Sequence, residues 1–315
     1  MVNVANLASP RMTDAAFAAR ARADEFREKA LALLEKGVFA EALAAYDEAL
    51  REANETGDAA FQDWMFACRA AAAAETGARD EDLLELKKIL LRTTDHQTAF
   101  RAAYTGARIY ELRRDFKKAS FYSRLARQHA DTLCDGRLLS AARNQLGALL
   151  TADSRFEDAA IVYREALAYC AGADPVSQIH GAELTGNLGY CLIGLDSLDE
   201  GLRLVHEALD LLEKCGARGF TVVPLMDLCF GYLKANRFTE ARYFGEEGLS
   251  RLALGGDPGN EKNFLYLLGE SCHLGGDAPA AQGYFDRLAA HYPEFRNLRA
   301  YLEVFDFRNV INLRS

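Results

Sequence analysis

The chain has 315 residues, half of them apolar, and its 37 basic and 46 acidic side chains leave a net charge of −9. That balance supplies no broad basic field for a phosphate backbone, which disfavours general nucleic-acid binding. No run approaches the roughly 18–20 apolar residues needed to cross a bilayer, and no basic stretch precedes an apolar run near the start, so the expectation is a soluble, unsecreted protein away from membranes.

Alanine and leucine dominate and proline is scarce, which favours helix. The seven cysteines (Cys68, Cys134, Cys170, Cys191, Cys215, Cys229 and Cys272) are odd in number, spread out and without a CxxC pair, which fits a reducing cytoplasm.

Residues 1–13 are expected to be poorly ordered. From residue 14 to 293 the chain repeats. In the stretch NQLGALLTADSRFEDAAIVYREAL, two short amphipathic helices flank one turn, and TGNLGYCLIGLDSLDEGLRLVHEAL matches it further on. With Gly147 and Gly189 as markers, equivalent small residues fall in chain order at Ala30, Ala71, Ala107, Gly147, Gly189, Cys229 and Gly269, in steps of 41, 36, 40, 42, 40 and 40.

Twelve residues after each marker stand Ala42, Leu83, Ala119, Ala159, Gly201, Ala241 and Ala281. Four and seven residues further on come Tyr46 and Ala49, Lys87 and Leu90, Ser123 and Ala126, Tyr163 and Ala166, Val205 and Ala208, Gly245 and Gly248, and Phe285 and Leu288, a spacing that makes one helical stripe.

The turn between the two helices carries Gly37, Ala78, Arg114, Ser154, Asp196, Asn236 and Gly276. The glycines, Asp196 and Asn236 suit the left-handed conformation that stops a helix. Phe39, Phe116, Phe156, Leu198 and Phe238 follow and plug the turn, while Asp174-Pro175 and Asp257-Pro258 mark helix starts.

An LG pair, a small residue twelve on, an aromatic four after it and an alanine three after that together resemble the tetratricopeptide repeat. Steps near 40 rather than the usual 34 are similar to the longer-helix versions in kinesin light chain and in bacterial peptide-sensing regulators. The resemblance implies an all-α, right-handed superhelical solenoid of about seven helix-turn-helix units. Unit two departs from the pattern, with Lys87 in place of an aromatic and RAAAAAE in its first helix. Residues 294–315, EFRNLRAYLEVFDFRNVINLRS, read as a C-terminal capping helix over the last apolar face.

In each first helix the residues six and three before the marker and one after it turn toward the concave side, with the residue two before the marker at their flank. These positions are Arg101, Tyr104 and Arg108 in unit three, Asn144 and Gln145 in unit four, Asn187 and Tyr190 in unit five, Met226, Asp227 and Phe230 in unit six, and Asn263, Tyr266 and Glu270 in unit seven. Amides can bond an extended backbone, aromatics give flat apolar contact and arginine can fork a carboxylate, which together suit a peptide. The resemblance adds that Asn144 and Asn187 match the asparagines that hold peptides in tetratricopeptide grooves. Arg101, Arg108, Asn144 and Asn187 could imitate a carboxylate clamp without its lysines, or could simply solvate the inner wall.

Other signals are discounted. Cys272-His273 lies in the packing stripe with no second ligand pair, so no metal is expected. LGGDPGN and LGGDAPA lack the GK[ST] ending of a phosphate loop, and the six histidines form no HExxH. No cofactor is implied and no catalytic constellation is present. The reading is therefore a non-enzymatic interaction scaffold that binds a peptide or partner segment in its groove. The alternative is a regulator in which a small peptide changes the superhelix pitch. An enzyme is the weakest choice, and the oligomeric state is left open.

Overall fold

The computed structural model describes residues 13–35, 38–170, 174–252 and 258–314. Among them are fifteen α-helices and no strand. The chain divides into two compact units, one ending at Asp135 and the other beginning at Gly136.

The first unit holds three helical pairs: α1 (Asp14–Glu35) with α2 (Phe39–Glu55), α3 (Ala59–Gly77) with α4 (Asp80–Arg92), and α5 (His96–Leu112) with α6 (Phe116–Leu133). The second holds four: α7 (Gly136–Ala152) with α8 (Phe156–Leu167), α9 (Pro175–Gly194) with α10 (Leu198–Lys214), α11 (Val222–Lys234) with α12 (Phe238–Leu252), and α13 (Pro258–Leu274) with α14 (Ala278–Ala290). A short helix, α15 (Leu298–Val304), follows. Each marker lies on the first helix of its pair.

Small size at the markers is a packing requirement. A Cβ on Gly147 would stand 2.6 Å from Tyr163, one on Gly189 would stand 2.6 Å from Val205, and one on Gly269 would stand 2.3 Å from Phe285. The partner is always the residue sixteen positions on. Where the marker is larger, that partner shrinks: Cys229 faces Gly245, whose own Cβ would meet the Cys229 sulfur at 3.0 Å. Each pair thus conserves the volume between its helices, as a close-packed interior demands.

The turns are more uniform than their residues suggest. Arg114, Ser154, Asp196, Asn236 and Gly276 all have positive φ, between 57° and 82°. After each, a backbone N–H reaches five residues back: Asp115 to Tyr110, Arg155 to Leu150, Ser197 to Leu192, Arg237 to Tyr232 and Asp277 to Cys272, at 2.8–2.9 Å. This bond caps the carbonyls at the helix end and holds even arginine and serine in the left-handed region. Gly37 lies outside the described residues. The plugging aromatics then meet the next repeat, Phe156 against Gly194 and Phe238 against Gly275. Asp174 caps α9 by accepting from the Ser177 N–H at 3.0 Å, while Asp257 lies outside the described residues.

Unit two differs from expectation. The left-handed residue is Gly77, with φ of 105°, and Ala78 is extended. The buried stripe of α4 is Asp82, Leu83, Leu86 and Ile89, so Lys87 and Leu90 lie off it. An ionic network takes over what small-to-large packing does elsewhere. Arg69 is buried and bonds Asp82 at 2.8 Å and Asp47 at 2.7 Å, while Arg92 pairs with Asp63 at 2.5 Å.

The final segment also departs from expectation. Residues 1–12 of the expected disordered start lie outside the described residues, but Thr13 accepts from the Ala16 N–H at 3.2 Å at the start of α1. At the other end, the capping helix expected over 294–315 is confined to Leu298–Val304. Residues 305–314 continue in turns, with the Val310 and Ile311 N–H groups both donating to the Phe307 carbonyl.

Candidate functional site

In the first unit the three expected groove residues share one face of α5 and are all half-buried. Arg101 lies over the Trp64 ring at 5.3 Å, Tyr104 stacks on Phe100 at 5.5 Å and Arg108 pairs with Glu111 at 3.3 Å.

In the second unit, α7, α9, α11 and α13 bring the other expected residues to one face. Asn144 and Asn187 are half-buried, and the Asn187 amide donates to the Asn144 carbonyl at 3.2 Å. Gln145 is buried on α7. Asn263 on α13 is half-buried as well, whereas the remaining groove residues are covered. Tyr190, Met226, Asp227, Phe230, Tyr266 and Glu270 are each at most 5% exposed, because residues 305–314 lie across them.

Three consecutive residues of that segment carry most of its polar contacts. The Asn312 amide donates to the Thr151 carbonyl at 2.7 Å and the Ser154 hydroxyl at 3.0 Å. Its carbonyl oxygen accepts from the Tyr190 hydroxyl at 2.9 Å, and that hydroxyl accepts the Leu313 N–H at 2.9 Å. The Asn263 amide donates to the Leu313 carbonyl at 3.3 Å. Arg314 donates to Asn187 at 3.0 Å and to the Asp227 carboxylate at 2.6 Å, and its guanidinium lies 4.6 Å from the centre of the Tyr190 ring.

Apolar burial adds to these contacts. Leu302 and Leu313 are buried in the same cluster as Tyr190, Met226, Phe230 and Tyr266, with Phe307 and Ile311 packed against it. Burying one such leucine contributes about 1.5–3 kcal/mol.

Electrostatics follow from the covering. Burial pushes the Asp227 carboxyl above its ordinary range against the pull of Arg314, so this carboxylate depends on a nearby cation. Burial, with Asp306 adding to it and Arg308 opposing, pushes Glu270 up to about 7. Burial also pushes the Tyr190 and Tyr266 hydroxyls up, which keeps both protonated and able to donate.

Asn312, Leu313, Arg314 and Arg308 were absent from the sequence-derived set because 294–315 reads as one helix. The available signal was local: Asn309 and Asn312 are poor helix formers, and Phe305-Asp306-Phe307 breaks the helical period. The discounted Cys272 is a buried thiol of the core cluster. Among the described residues no group of three or more His, Cys, Asp or Glu side chains is arranged to hold a metal, and no helix is long and apolar enough to cross a membrane.

No family model and no curated protein matches the sequence. Solved structures do match. The complex of NprR with its cognate peptide NprX superposes with a TM-score of 0.68 at 13% identity, covering 91% of this chain and 82% of that one. The apo form of RapI gives 0.64 at 10% identity over 89% and 79%. A tetratricopeptide repeat protein from Parabacteroides merdae gives 0.52 at 13% identity over 90% and 98%. At such identities the likeness is one of fold. The chain has the all-α solenoid fold of tetratricopeptide-repeat proteins.

Proposed function

We propose that the protein is a non-enzymatic interaction module whose first-helix face in the second unit binds a peptide or a segment of a partner protein. One observation carries this reading: that face already holds a stretch of polypeptide lying outside the repeats, through both its backbone and its side chains. Asn187, Tyr190, Asp227, Asn263, Tyr266 and Glu270 are the binding residues in this reading, with Asn144, Gln145, Met226 and Phe230 supporting them. In the first unit, Arg101, Tyr104 and Arg108 form a separate half-exposed surface for a partner. The similarity of fold to NprR, solved with its cognate peptide, is consistent with a peptide ligand.

A library of displayed peptides panned on the full chain tests this. Peptides enriched on the native protein are expected to bind at least ten-fold more weakly to the Tyr266→Phe/Glu270→Gln double variant, which removes two polar groups of the face that residues 305–314 leave unbonded, once matched melting curves show both proteins folded. Equal binding to the two proteins places the ligand elsewhere and overturns the reading. The regulator reading gains from the filled state of the face, since any external ligand there must first replace residues 305–314.

A further inference from the structure

The contacts of residues 305–314 are those of a bound ligand. Backbone groups of Leu313 are held at both ends, by Tyr190 and Asn263, while an amide, an aliphatic side chain and a guanidinium each reach a separate partner. Such a division, main chain for affinity and side chains for specificity, is how grooves read peptides.

The fit is incomplete. Among the described residues, Asp227 Oδ1, the Tyr266 hydroxyl and Glu270 Oε2 find no hydrogen-bond partner although they are buried. A buried polar atom left unpaired is unfavourable, and an occupant that satisfied it would bind more tightly. Arg308 does not meet the need, because its guanidinium is engaged by Asp306 at 2.6 Å and by Asn236 at 2.7 Å. A cavity of about 250 Å³, bounded by Asn187, Asp227, Leu212, Phe220, Pro224 and Arg314, also lies beside the guanidinium. The segment exposes much of its own apolar surface, with Val310 76% and Phe305 53% accessible.

We infer that residues 305–314 are a built-in, exchangeable occupant of this face, and that its external ligand is a peptide bearing an amide–aliphatic–arginine triplet and a second donor that reaches Glu270 and Tyr266. This rests on the peptide-binding reading above. Asp227 sets the first requirement, since its carboxylate needs a cation whichever chain supplies it. The unpaired Glu270 and Tyr266 oxygens set the second. Tethering gives the segment an effective concentration on the order of millimolar. A free peptide of the same sequence therefore competes poorly, and an effective ligand must improve on it at the unpaired atoms.

The test uses labelled synthetic peptide FDFRNVINLR, corresponding to residues 305–314, and fluorescence anisotropy on full-length proteins. Leu313→Asp loosens the built-in segment by burying a charge, and Arg314→Gln does so more gently should the first variant fail to fold. Either is expected to bind the peptide at least ten-fold more tightly than the native chain. Adding Asp227→Asn, or replacing the peptide's arginine by alanine, should remove that gain. A peptide with lysine in place of Asp306 is expected to bind more tightly, because it frees Arg308 and brings a second donor near Glu270.

If both folded variants bind no better than the native protein, the segment is a fixed part of the fold and the inference fails. The peptide library separates this from the broader proposal. Enriched peptides that lack the triplet on the Arg314→Gln protein would retain peptide binding but overturn this ligand class. Enrichment of none would overturn both.

Discussion

Equivalent positions of the repeat behave differently in the two units. On α5, Arg101, Tyr104 and Arg108 stay half-exposed, whereas on α9, α11 and α13 the corresponding Tyr190, Met226, Phe230, Tyr266 and Glu270 are covered. Helical phase sets which residues point to this face, and the phase is the same in both. What differs is that the second unit has its own polypeptide lying on the face, so a position's place in the repeat fixes its direction but not its exposure.

The sharpest way to break this contrast is to remove the cation. Arg314→Ala leaves Asp227 buried and unpaired, a loss on the order of 3–5 kcal/mol that should appear as a lowered denaturant midpoint for the second unit. Arg314→Ala combined with Asp227→Leu should recover much of it. If the single change leaves the midpoint within about 0.5 kcal/mol of native, the pair is not the anchor described here.

The glycine markers give the next largest effect. Gly189→Ala places a methyl 2.6 Å from Val205 and 2.8 Å from the Gly201 carbonyl, which should cost about 1–3 kcal/mol by overpacking. The reverse change at the matching position of the first unit, Ala107→Gly, should cost about 1 kcal/mol through helix propensity, with the loss of one buried methyl adding to it. Thermal melts of the two variants compare steric with conformational control of the same repeat position.

A smaller effect is a pH dependence confined to the covered face. Glu270 holds its proton up to about 7, above the ordinary 4.5, with Asp306 and Arg308 as the charged groups facing it. The folded chain thus binds this proton more strongly than the unfolded chain. The stability it contributes is complete below about 4.5 and is lost as pH rises through about 7. Denaturation from pH 5 to 8 should show this fall, and Glu270→Gln should flatten it. The smallest change is expected at Arg108→Ala on the half-exposed face of α5, within about 0.5 kcal/mol of native in the same assay.

Much of the fold is legible in the sequence because its rules are local. A marker and its partner sixteen residues on trade size within one hairpin, and left-handed turns recur at a fixed offset, so spacing alone finds both. Unit two escapes because its alanine run shows no size contrast to set the phase, and because Arg69 with Asp47 and Asp82 replaces the usual packing. The direction of Asn187, Tyr190, Asp227, Asn263, Tyr266 and Glu270 was readable for the same local reason. Their covering was not, since it depends on pairings such as Arg314 with Asp227 and Asn312 with Thr151, 87 and 161 positions apart, which no period encodes.

That last pairing bears on how the second unit folds. A repeat array ordinarily contacts only its neighbours, so it can nucleate anywhere and fray from either end. Here the bonds from Asn312 to Thr151 and Ser154 link the final segment to the first hairpin of the unit, which closes α7 through α15 into a single loop of contacts. Fraying from the last hairpin must break that closure first. With residues 305–314 seated, repeats four to seven are expected to unfold as one cooperative block and to form more slowly than hairpins that pair only with the next in line, and release of the segment should restore fraying from the last hairpin.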